Sequence, residues 1–317
     1  MSVGGAPAVS VRGLRKSFGE TTVLDGVDIT VQQGSVFALL GPNGAGKTTI
    51  VRILSTLIRA DAGTVTIMGH DARREAERVR SAIGVTGQFS AVDDMLSGQE
   101  NMRLMADLRH LGRGLGAARV AELLERFDLT EAAGRPASTY SGGMRRRLDL
   151  AMTLVGSPSV IFLDEPTTGL DPRSRRTMWD SIRELVAGGV TIFLTTQYLD
   201  EADELADQIA VLDHGRIVAR GSADELKQRI PGGHVQLEFS TPEALELADE
   251  ILEGASGEEG KLLLRVPNDG SVASLRRLLA ELDERDIEVR RLSMQTPDLD
   301  DVFFAVTGHP SIEEAAV

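Results

Sequence analysis

The chain has 317 residues, of which 42% are hydrophobic and 26% charged, with a formal net charge of −14 and no cysteine. This length allows one full-sized domain and a smaller one, and the composition is typical of a globular protein. The absence of cysteine excludes disulfide bonds and thiolate metal sites, and the five scattered histidines show no pair at metal-ligand spacing.

The first part of the chain alternates short apolar runs with turns. Residues 9–14, 23–31 and 36–40 are rich in β-branched and aliphatic side chains, which is typical of strands. A glycine-rich loop follows the third run, and we predict a helix over 48–57. We then predict a strand-turn-strand unit over 63–68.

From about residue 90 to 155, apolar residues recur at helical spacing, so we predict a mostly helical insert. Strand-like runs then return and alternate with a helix. The runs are 160–163, 190–194 and 209–212, and the helix covers 178–186. This alternation predicts an α/β fold with a parallel, doubly wound sheet.

Pro231-Gly232-Gly233 predicts a domain boundary, with a large domain over 1–230 and a small one over 231–317. The small part shows a β-α-β-α-β pattern, typical of a compact α+β unit, and we expect its last residues, 312–317, to be a frayed acidic tail. It carries 19 acidic and 7 basic residues, a net charge of −12, which argues against a nucleic-acid surface there. The pattern comprises strands 235–239, 262–266 and 288–294 and helices 243–252 and 272–282.

The glycine-rich loop, GPNGAGKT at 41–48, matches the phosphate-binding loop template. Glycines let backbone N–H groups surround phosphate oxygens, and the following helix directs its positive N-terminus at them. The alternative is an ordinary glycine turn, but the position between a predicted strand and a predicted helix favours phosphate binding. The predicted binding residues are Gly41, Pro42, Asn43, Gly44, Ala45, Gly46, Lys47, Thr48 and Thr49.

Lys47 is informative because the chain contains only four lysines against 30 arginines. Its ammonium group is compact enough to reach the β- and γ-phosphates, and the Thr48 hydroxyl can bind Mg²⁺. The run VIFLDE at 160–165 ends in two carboxylates. Such pairs are often only solubilising, but together with the loop they predict nucleotide hydrolysis, with Asp164 holding Mg²⁺ and Glu165 orienting or deprotonating the attacking water.

Ser141-Gly142-Gly143-Met144 predicts a second helix N-terminus, with Ser141 as the N-cap and glycines that allow close approach of an anion. The alternative is a simple helix cap. Two phosphate-binding elements in one chain suggest that the second binds the nucleotide of another subunit.

These motifs, in this order over about residues 8–225, resemble those of the ATP-binding cassette (ABC) ATPases. The stretches GVTGQ, TYSGGMRRRLD, LTTQYLDEAD and DDVFFAVTGHP extend the resemblance, over nearly the whole chain, to the daunorubicin/doxorubicin-resistance ATP-binding subunits, the DrrA family. The resemblance implies a P-loop NTPase core with an antiparallel β subdomain, a helical insert and a small C-terminal α+β domain. It also implies ATP and Mg²⁺ as ligands.

The resemblance assigns further roles. Phe18 would stack on adenine, although it could equally be a packing residue. Gln88 would sense Mg²⁺ and the γ-phosphate, and Asp171 would lie in a loop across a dimer interface. Two copies would enclose two ATP molecules head to tail, each held by Lys47 of one chain and by Ser141, Gly142 and Gly143 of the other.

Gln197 matches a position that contacts the γ-phosphate and is histidine in most of the broader family. Glutamine donates and accepts hydrogen bonds but takes no proton near neutral pH, so we interpret it as a positioning residue and Glu165 as the base. For Arg145, Arg146 and Arg147 we favour a structural role or contacts to a neighbouring subunit over nucleic-acid binding.

The favoured function is therefore the ATPase subunit of a membrane exporter at the cytoplasmic face of the membrane. No apolar stretch approaches the roughly 18 residues of a membrane helix, so a separate permease would supply the pathway. The resemblance implies a hydrophobic antibiotic as cargo. The alternatives are a soluble ABC ATPase that acts on nucleic acid or ribosomes and a P-loop kinase or GTPase. The small domain could brace the dimer, contact the permease or regulate hydrolysis.

Overall fold

The chain folds into two compact units, Met1–Ala223 and Asp224–Val317. The boundary expected at Pro231-Gly232-Gly233 falls a little further along the chain, and Pro231 and Gly232 lie outside the described residues, so that boundary stays a prediction. The computed structural model describes residues 6–87, 91–229, 233–252, 255–257, 262–268, 271–295 and 298–307.

The strands of the first unit form two sheets among the described residues. A four-stranded antiparallel sheet has the order β2-β1-β4-β5, and a six-stranded sheet has the order β10-β9-β3-β8-β7-β6. The strands are β1 (Val9–Phe18), β2 (Thr21–Val31), β3 (Val36–Leu40), β4 (Ala62–Ile67), β5 (His70–Asp71), β6 (Ile83–Thr86), β7 (Val160–Asp164), β8 (Thr191–Thr196), β9 (Gln208–Asp213) and β10 (Arg216–Gly221).

The predicted parallel sheet is confirmed in the centre of this unit. Strands β9, β3, β8, β7 and β6 pair in parallel, and only β10 pairs antiparallel, with β9. All residues of β3, β7 and β8 are buried, as continuous apolar strands of a parallel sheet should be. The register places Phe37, Phe193 and Phe162 side by side, with ring centroids 5.2 and 5.6 Å apart, in the core below the strand ends.

Several sequence-based boundaries differ from the structure; the helix predicted over 178–186, for example, extends over Pro172–Ala187. The helix predicted over 48–57 is shorter and ends at Leu54, because Thr56 adopts a left-handed backbone conformation with φ of 62°. The segment predicted as strand-turn-strand over 63–68 is the single strand β4, and the turn follows at Met68 and Gly69.

The helices of the first unit pack on the six-stranded sheet or form the insert, whose predicted helical character is confirmed. No helix in the described part of the chain combines the length and apolarity that crossing a bilayer requires. The helices are α1 (Lys47–Leu54), α2 (Ala76–Ala82), α3 (Gly98–Leu108), α4 (Arg113–Arg126), a 3₁₀ turn (Ala137–Thr139), α5 (Gly142–Leu154), α6 (Pro172–Ala187) and α7 (Leu199–Leu205).

The second unit is a small α+β structure with its own core, in which an antiparallel sheet has the order β12-β13-β11-β14. Its alternating pattern was predicted, whereas β12 and the last helix were not. The expected tail, residues 312–317, lies outside the described residues. The elements are α8 (Ala223–Lys227, which begins at the unit boundary), β11 (His234–Phe239), α9 (Pro242–Ile251), β12 (Ser256–Gly257), β13 (Leu263–Pro267), α10 (Val272–Glu284), β14 (Val289–Gln295) and α11 (Leu299–Thr307).

Candidate active site

The carboxyl ends of three parallel strands bring the predicted site residues to one edge of the sheet. Strand β3 pairs with β8, Leu40 beside Thr196, and β7 pairs with the other side of β8, Asp164 beside Thr195. The residues that follow these strand ends therefore lie next to one another, where α/β proteins bind ligands. They are Gly41, Glu165 and Gln197.

The loop after β3 leads directly into the N-terminus of α1. Gly46 has φ of +110°, and a Cβ there would come within 2.8 Å of Leu24 Cδ2, so only glycine fits this turn. Ala45 is buried in the hydrophobic core and does not line the cavity that the loop borders. That cavity measures about 260 Å³, and its lining is Val23, Pro42, Asn43, Gly44, Gly46, Lys47, Thr48, Thr49 and Glu165.

Lys47 lies inside this loop with only 5% of its surface exposed. Its Nζ donates to the carbonyl oxygens of Gly41 at 2.6 Å and Pro42 at 3.1 Å, and it lies 3.7 Å from Glu165 Oε1. Burial lowers the pKa of Lys47, while the carboxylates of Glu165 and Asp164 oppose that shift. The loop cation and the strand-end carboxylates thus form one electrostatic unit.

The two carboxylates after β7 have different environments. Asp164 is 3% exposed and accepts a hydrogen bond from the Thr195 hydroxyl. Glu165 adopts a left-handed conformation with φ of 51°, rare for a residue with a side chain, and its N–H donates to the Thr195 carbonyl at 3.0 Å. This turn directs the Glu165 carboxylate towards Lys47, whereas Asp164 stays buried at the strand end.

A divalent cation fits this edge only with help from a ligand. Among the described residues, no group of three or more His, Asp or Glu side chains could hold a metal ion. Asp164 and the half-buried Thr48 offer two oxygen donors, the type that Mg²⁺ prefers, and phosphate oxygens with water would complete six ligands. Gln88, the third predicted metal ligand, lies outside the described residues.

Gln197 is half-buried and follows β8 immediately, before α7 begins at Leu199. The Thr196 hydroxyl accepts from the N–H of Tyr198 at 2.9 Å and so shapes this short connection. Gln197 therefore lies at the same edge of the sheet as the loop, just beyond the end of β8, which is the strand between β3 and β7.

The tip of α5, Ser141 to Gly143, has the predicted cap. The Ser141 side chain accepts from the N–H of Met144 at 3.3 Å, and both Ser141 and Gly142 are exposed. A Cβ at Gly143 would come within 2.6 Å of Ser174 Oγ, so this glycine also allows the ends of α5 and α6 to pack closely. The described lining of the loop cavity includes no residue of this tip.

Asp171 caps α6 beside this tip. Its carboxylate accepts from the N–H groups of Arg173 and Ser174 at 3.0 Å each and from the Ser174 hydroxyl. The hydrogen bond from the Ser174 side chain is the main cause of the lowered pKa of Asp171. Asp171 and the α5 tip therefore form one exposed surface.

Phe18 is 51% exposed at the end of β1, and Lys16 Nζ lies 5.2 Å from its ring centroid. The residue of the β1–β2 region that lines the loop cavity is Val23. An exposed aromatic ring is compatible with stacking on a base, but the structure does not bring Phe18 to the cavity wall.

Sequence reasoning missed two polar residues behind this edge, Thr195 and Glu201, and gave a third, Arg146, only a structural role or a subunit contact. Thr195 bonds to both residues of the carboxylate pair, Arg146 donates to the backbone after β7, and Glu201 is a buried carboxyl. Glu201 accepts from the Thr167 hydroxyl at 2.8 Å and from Trp179 Nε1 at 3.2 Å, and burial raises its pKa. The sequence contains two signals for them: a threonine near the end of an apolar strand, and an acidic residue four positions after Gln197.

Comparison with known proteins shows the family to which the chain is similar. The family model "ABC transporter" matches residues 24–168, and the model "ATP-binding protein DrrA1-3-like, C-terminal domain" matches residues 221–307. The chain is 47% identical to a daunorubicin resistance ATP-binding protein of Streptomyces coeruleorubidus, over 98% of this chain and 99% of the relative. It is 38% identical to a Nod factor export ATP-binding protein of Ralstonia nicotianae, over 96% and 95% respectively.

Solved structures show the same fold. An ATP-binding cassette of an ABC transporter in its ADP conformation superposes with a TM-score of 0.63 at 27% identity, covering 70% of this chain and 93% of that one. A dimeric post-hydrolysis cassette bound to ADP and phosphate gives a TM-score of 0.62 at 24% identity, covering 68% and 98%.

Proposed function

The chain belongs to the ABC transporter ATP-binding family, and within it to the DrrA-like drug-resistance ATP-binding proteins, and from this premise we propose how its residues act. It is an ATPase subunit of an exporter. The observation that supports the assignment of its site is the contact between Lys47 and Glu165 at the shared strand edge, 3.7 Å apart. Loop and carboxylate come from segments 118 residues apart in sequence and meet only in the folded chain.

The loop residues Gly41 to Thr49 hold the triphosphate. Backbone N–H groups at the start of α1 face the phosphates, and the helix dipole favours their negative charge. Lys47 exchanges its bonds to the Gly41 and Pro42 carbonyls for β- and γ-phosphate oxygens. Because the ammonium is preorganised and mostly shielded from water, its attraction for phosphate is stronger than that of an exposed lysine.

Thr48 and Asp164 hold Mg²⁺ together with the phosphates, and Gln88 is a third ligand from the predicted set. When bound, the ion neutralises charge on the β- and γ-phosphates. The Thr195 hydroxyl keeps one Asp164 oxygen oriented, so the other remains free to bind a cation.

Glu165 acts as the base that orients and deprotonates the attacking water. Its carboxylate lies beside Lys47, the residue that we expect to bind the γ-phosphate. Gln197, on the neighbouring strand, holds the γ-phosphate and the water by hydrogen bonds and takes no proton. Phe18, exposed at the end of β1, stacks on adenine.

A second copy of the chain completes each site. Ser141, Gly142 and Asp171 are exposed near Gly143, so this tip can reach the triphosphate of a partner in a head-to-tail dimer with twofold symmetry. The γ-phosphate then bridges two chains, so ATP closes the dimer and hydrolysis reopens it.

Closure of this dimer drives a separate membrane permease, which places the subunit peripherally at the cytoplasmic face of the membrane. The relatives are named for daunorubicin and doxorubicin resistance and for Nod factor export. We infer a hydrophobic drug or antibiotic as cargo, because the relatives of higher identity carry the drug-resistance names.

The proposal is tested with the Glu165→Gln chain, which keeps every phosphate contact but lacks the base. With ATP and Mg²⁺, light scattering after gel filtration should show twice the mass of the single chain, and ADP should return the mass to that of one chain. A strictly monomeric Glu165→Gln chain with bound ATP contradicts the shared site. Co-expression with the permease of a neighbouring gene, with Lys47 intact or replaced by Ala, then tests drug efflux.

A further inference from the structure

One arginine of the α5 helix connects the two halves of the site within a single chain. Arg146 Nε donates to the Pro166 carbonyl at 2.7 Å, and its Nη2 donates to the carbonyls of Asp164 at 3.2 Å and Glu165 at 3.0 Å. Its Nη1 donates to the carbonyl of Gly87 at 3.2 Å. A single guanidinium thus binds three successive carbonyls, from the last residue of β7 to Pro166, and a fourth on the residue that follows β6.

The other end of this connection is the exposed tip. Arg146 lies five residues after Ser141 on the same helix, about 7.5 Å along its axis at the usual rise per residue. The tip and Arg146 belong to one continuous helix, Gly142–Leu154, whose part from Leu148 to Leu154 is buried. A displacement of the tip is therefore passed to the guanidinium.

The guanidinium is held in place by a buried partner. It is 13% exposed, and Arg146 Nη1 lies 3.6 Å from Asp149 Oδ2, one helical turn further on. Asp149 Oδ1 in turn accepts from the N–H of Ala91 at 3.2 Å. Because arginine has a planar group with five donors, it can bind several carbonyls in one fixed geometry, which lysine cannot.

We propose that Arg146 is a positioning residue that couples the Ser141–Gly143 tip to the catalytic Glu165 of the same chain. This inference rests on the proposed head-to-tail dimer, in which the tip binds the partner's nucleotide. Engagement of the tip shifts α5, and the shift moves the backbone of Asp164, Glu165 and Pro166. Hydrolysis at one nucleotide then depends on whether the other is bound.

The neighbouring arginines provide a matched control. Arg147 donates to the Phe127 carbonyl at 2.9 Å and lies 3.3 Å from an Asp128 oxygen, and its side chain is 19% exposed. These contacts stay within the helical insert. Arg147 thus shares the helix, the side chain and the burial of Arg146, but its contacts do not include the carbonyls after β7.

The experiment compares Arg146→Lys with Arg147→Lys, since both keep the charge and lose the planar group. We expect Arg146→Lys to lower kcat about tenfold or more, because small displacements of a catalytic group have large effects. Its Hill coefficient for ATP should fall towards 1, whereas single-chain ATP affinity changes less than about threefold. Arg147→Lys should keep wild-type kcat and Hill coefficient.

Three outcomes overturn the inference. The first is wild-type kcat and cooperativity in Arg146→Lys, and the second is an equal loss of both in Arg147→Lys. The third is loss of ATP binding together with a lowered Tm in Arg146→Lys, which would mean that the arginine only stabilises the fold. Failure of the Glu165→Gln chain to dimerise with ATP would instead reject the proposed function. If that dimer forms while Arg146→Lys behaves as wild type, only the coupling is rejected.

Discussion

The loop edge and the α5 tip are both built from helix N-termini, yet their surroundings are opposite. Lys47 and Asp164 are 5% and 3% exposed and are bonded to neighbouring groups within the chain. Ser141 is exposed, and its side chain accepts the capping hydrogen bond from Met144 N–H. At the loop edge the charged groups that would bind a nucleotide are already buried, whereas the tip presents its hydrogen-bond donors at the surface. The difference supports the proposal that the loop edge binds the nucleotide and that the tip of a partner then closes on it.

The largest expected effect comes from removing the loop cation. Lys47→Ala should lower kcat/KM for ATP by at least about a hundredfold, because a preorganised charge on the phosphates is lost. Phosphate release under steady-state conditions measures it. Lys227→Ala, in a helix at the unit boundary, serves as the control and should hydrolyse ATP normally. Near-normal turnover in Lys47→Ala would end the assignment of the loop.

The next effect separates binding from chemistry at the same edge. Glu165→Gln should reduce kcat by roughly a hundredfold to ten-thousandfold, since the base is lost, while ATP affinity remains. Single-turnover hydrolysis and nucleotide titration measure the two quantities, with the exposed Glu122→Gln as control. Wild-type hydrolysis in Glu165→Gln would refute the base assignment.

A change at the tip should affect association and leave binding in the single chain intact. Ser141→Ala removes a cap worth about 1 kcal/mol of helix stability and a hydroxyl that we assign to the partner's phosphate. ATP-dependent dimerisation in the Glu165→Gln background should weaken. Ser271→Ala is a matched control, because Ser271 caps α10 in the same way, accepting from Ser274 N–H at 3.1 Å. Equal weakening by both variants would mean that the tip acts through stability alone.

Gln197 follows the strand between β3 and β7, and its replacement should have a mild effect. In Gln197→His the ring can still donate to the γ-phosphate, so kcat should stay within about tenfold of wild type. It should gain a pH dependence near the ordinary histidine pKa of about 6.5. Steady-state hydrolysis from pH 6 to 8 tests this. A loss as large as that in Glu165→Gln would show that Gln197 is part of the proton transfer.

The smallest expected effect concerns the buried carboxyl of Glu201, which accepts a hydrogen bond from Thr167 in the segment between Glu165 and Asp171. Burial raises the pKa of Glu201 in the folded chain above its unfolded value of 4.5. As pH rises above that value, the unfolded chain releases the proton first, so Glu201 increasingly destabilises the folded state. Glu201→Gln keeps acceptors for Thr167 and Trp179, and its Tm relative to wild type should increase from pH 5 to pH 8. A difference that is constant with pH contradicts this account.

Much of the fold was predictable because its signals are local. The buried runs of β3, β7 and β8, the loop before α1 and the Ser141 cap follow from hydrophobic pattern, glycine spacing and capping preference, which depend on neighbours in sequence. The end of α1 was missed because Thr56 takes a conformation that its residue type does not announce.

The sequence by itself determined which residues are candidates for the chemistry: a loop lysine, two strand-end carboxylates, a capped helix tip and an amide. Only the tertiary structure decided their partners. Lys47 meets Glu165, Thr195 orients Asp164, Gly143 packs on Ser174, and Arg146 binds the backbone after β7. These contacts join segments that lie about 20 to 120 residues apart in sequence. They form through strand order and register, which depend on long-range packing that no local pattern encodes.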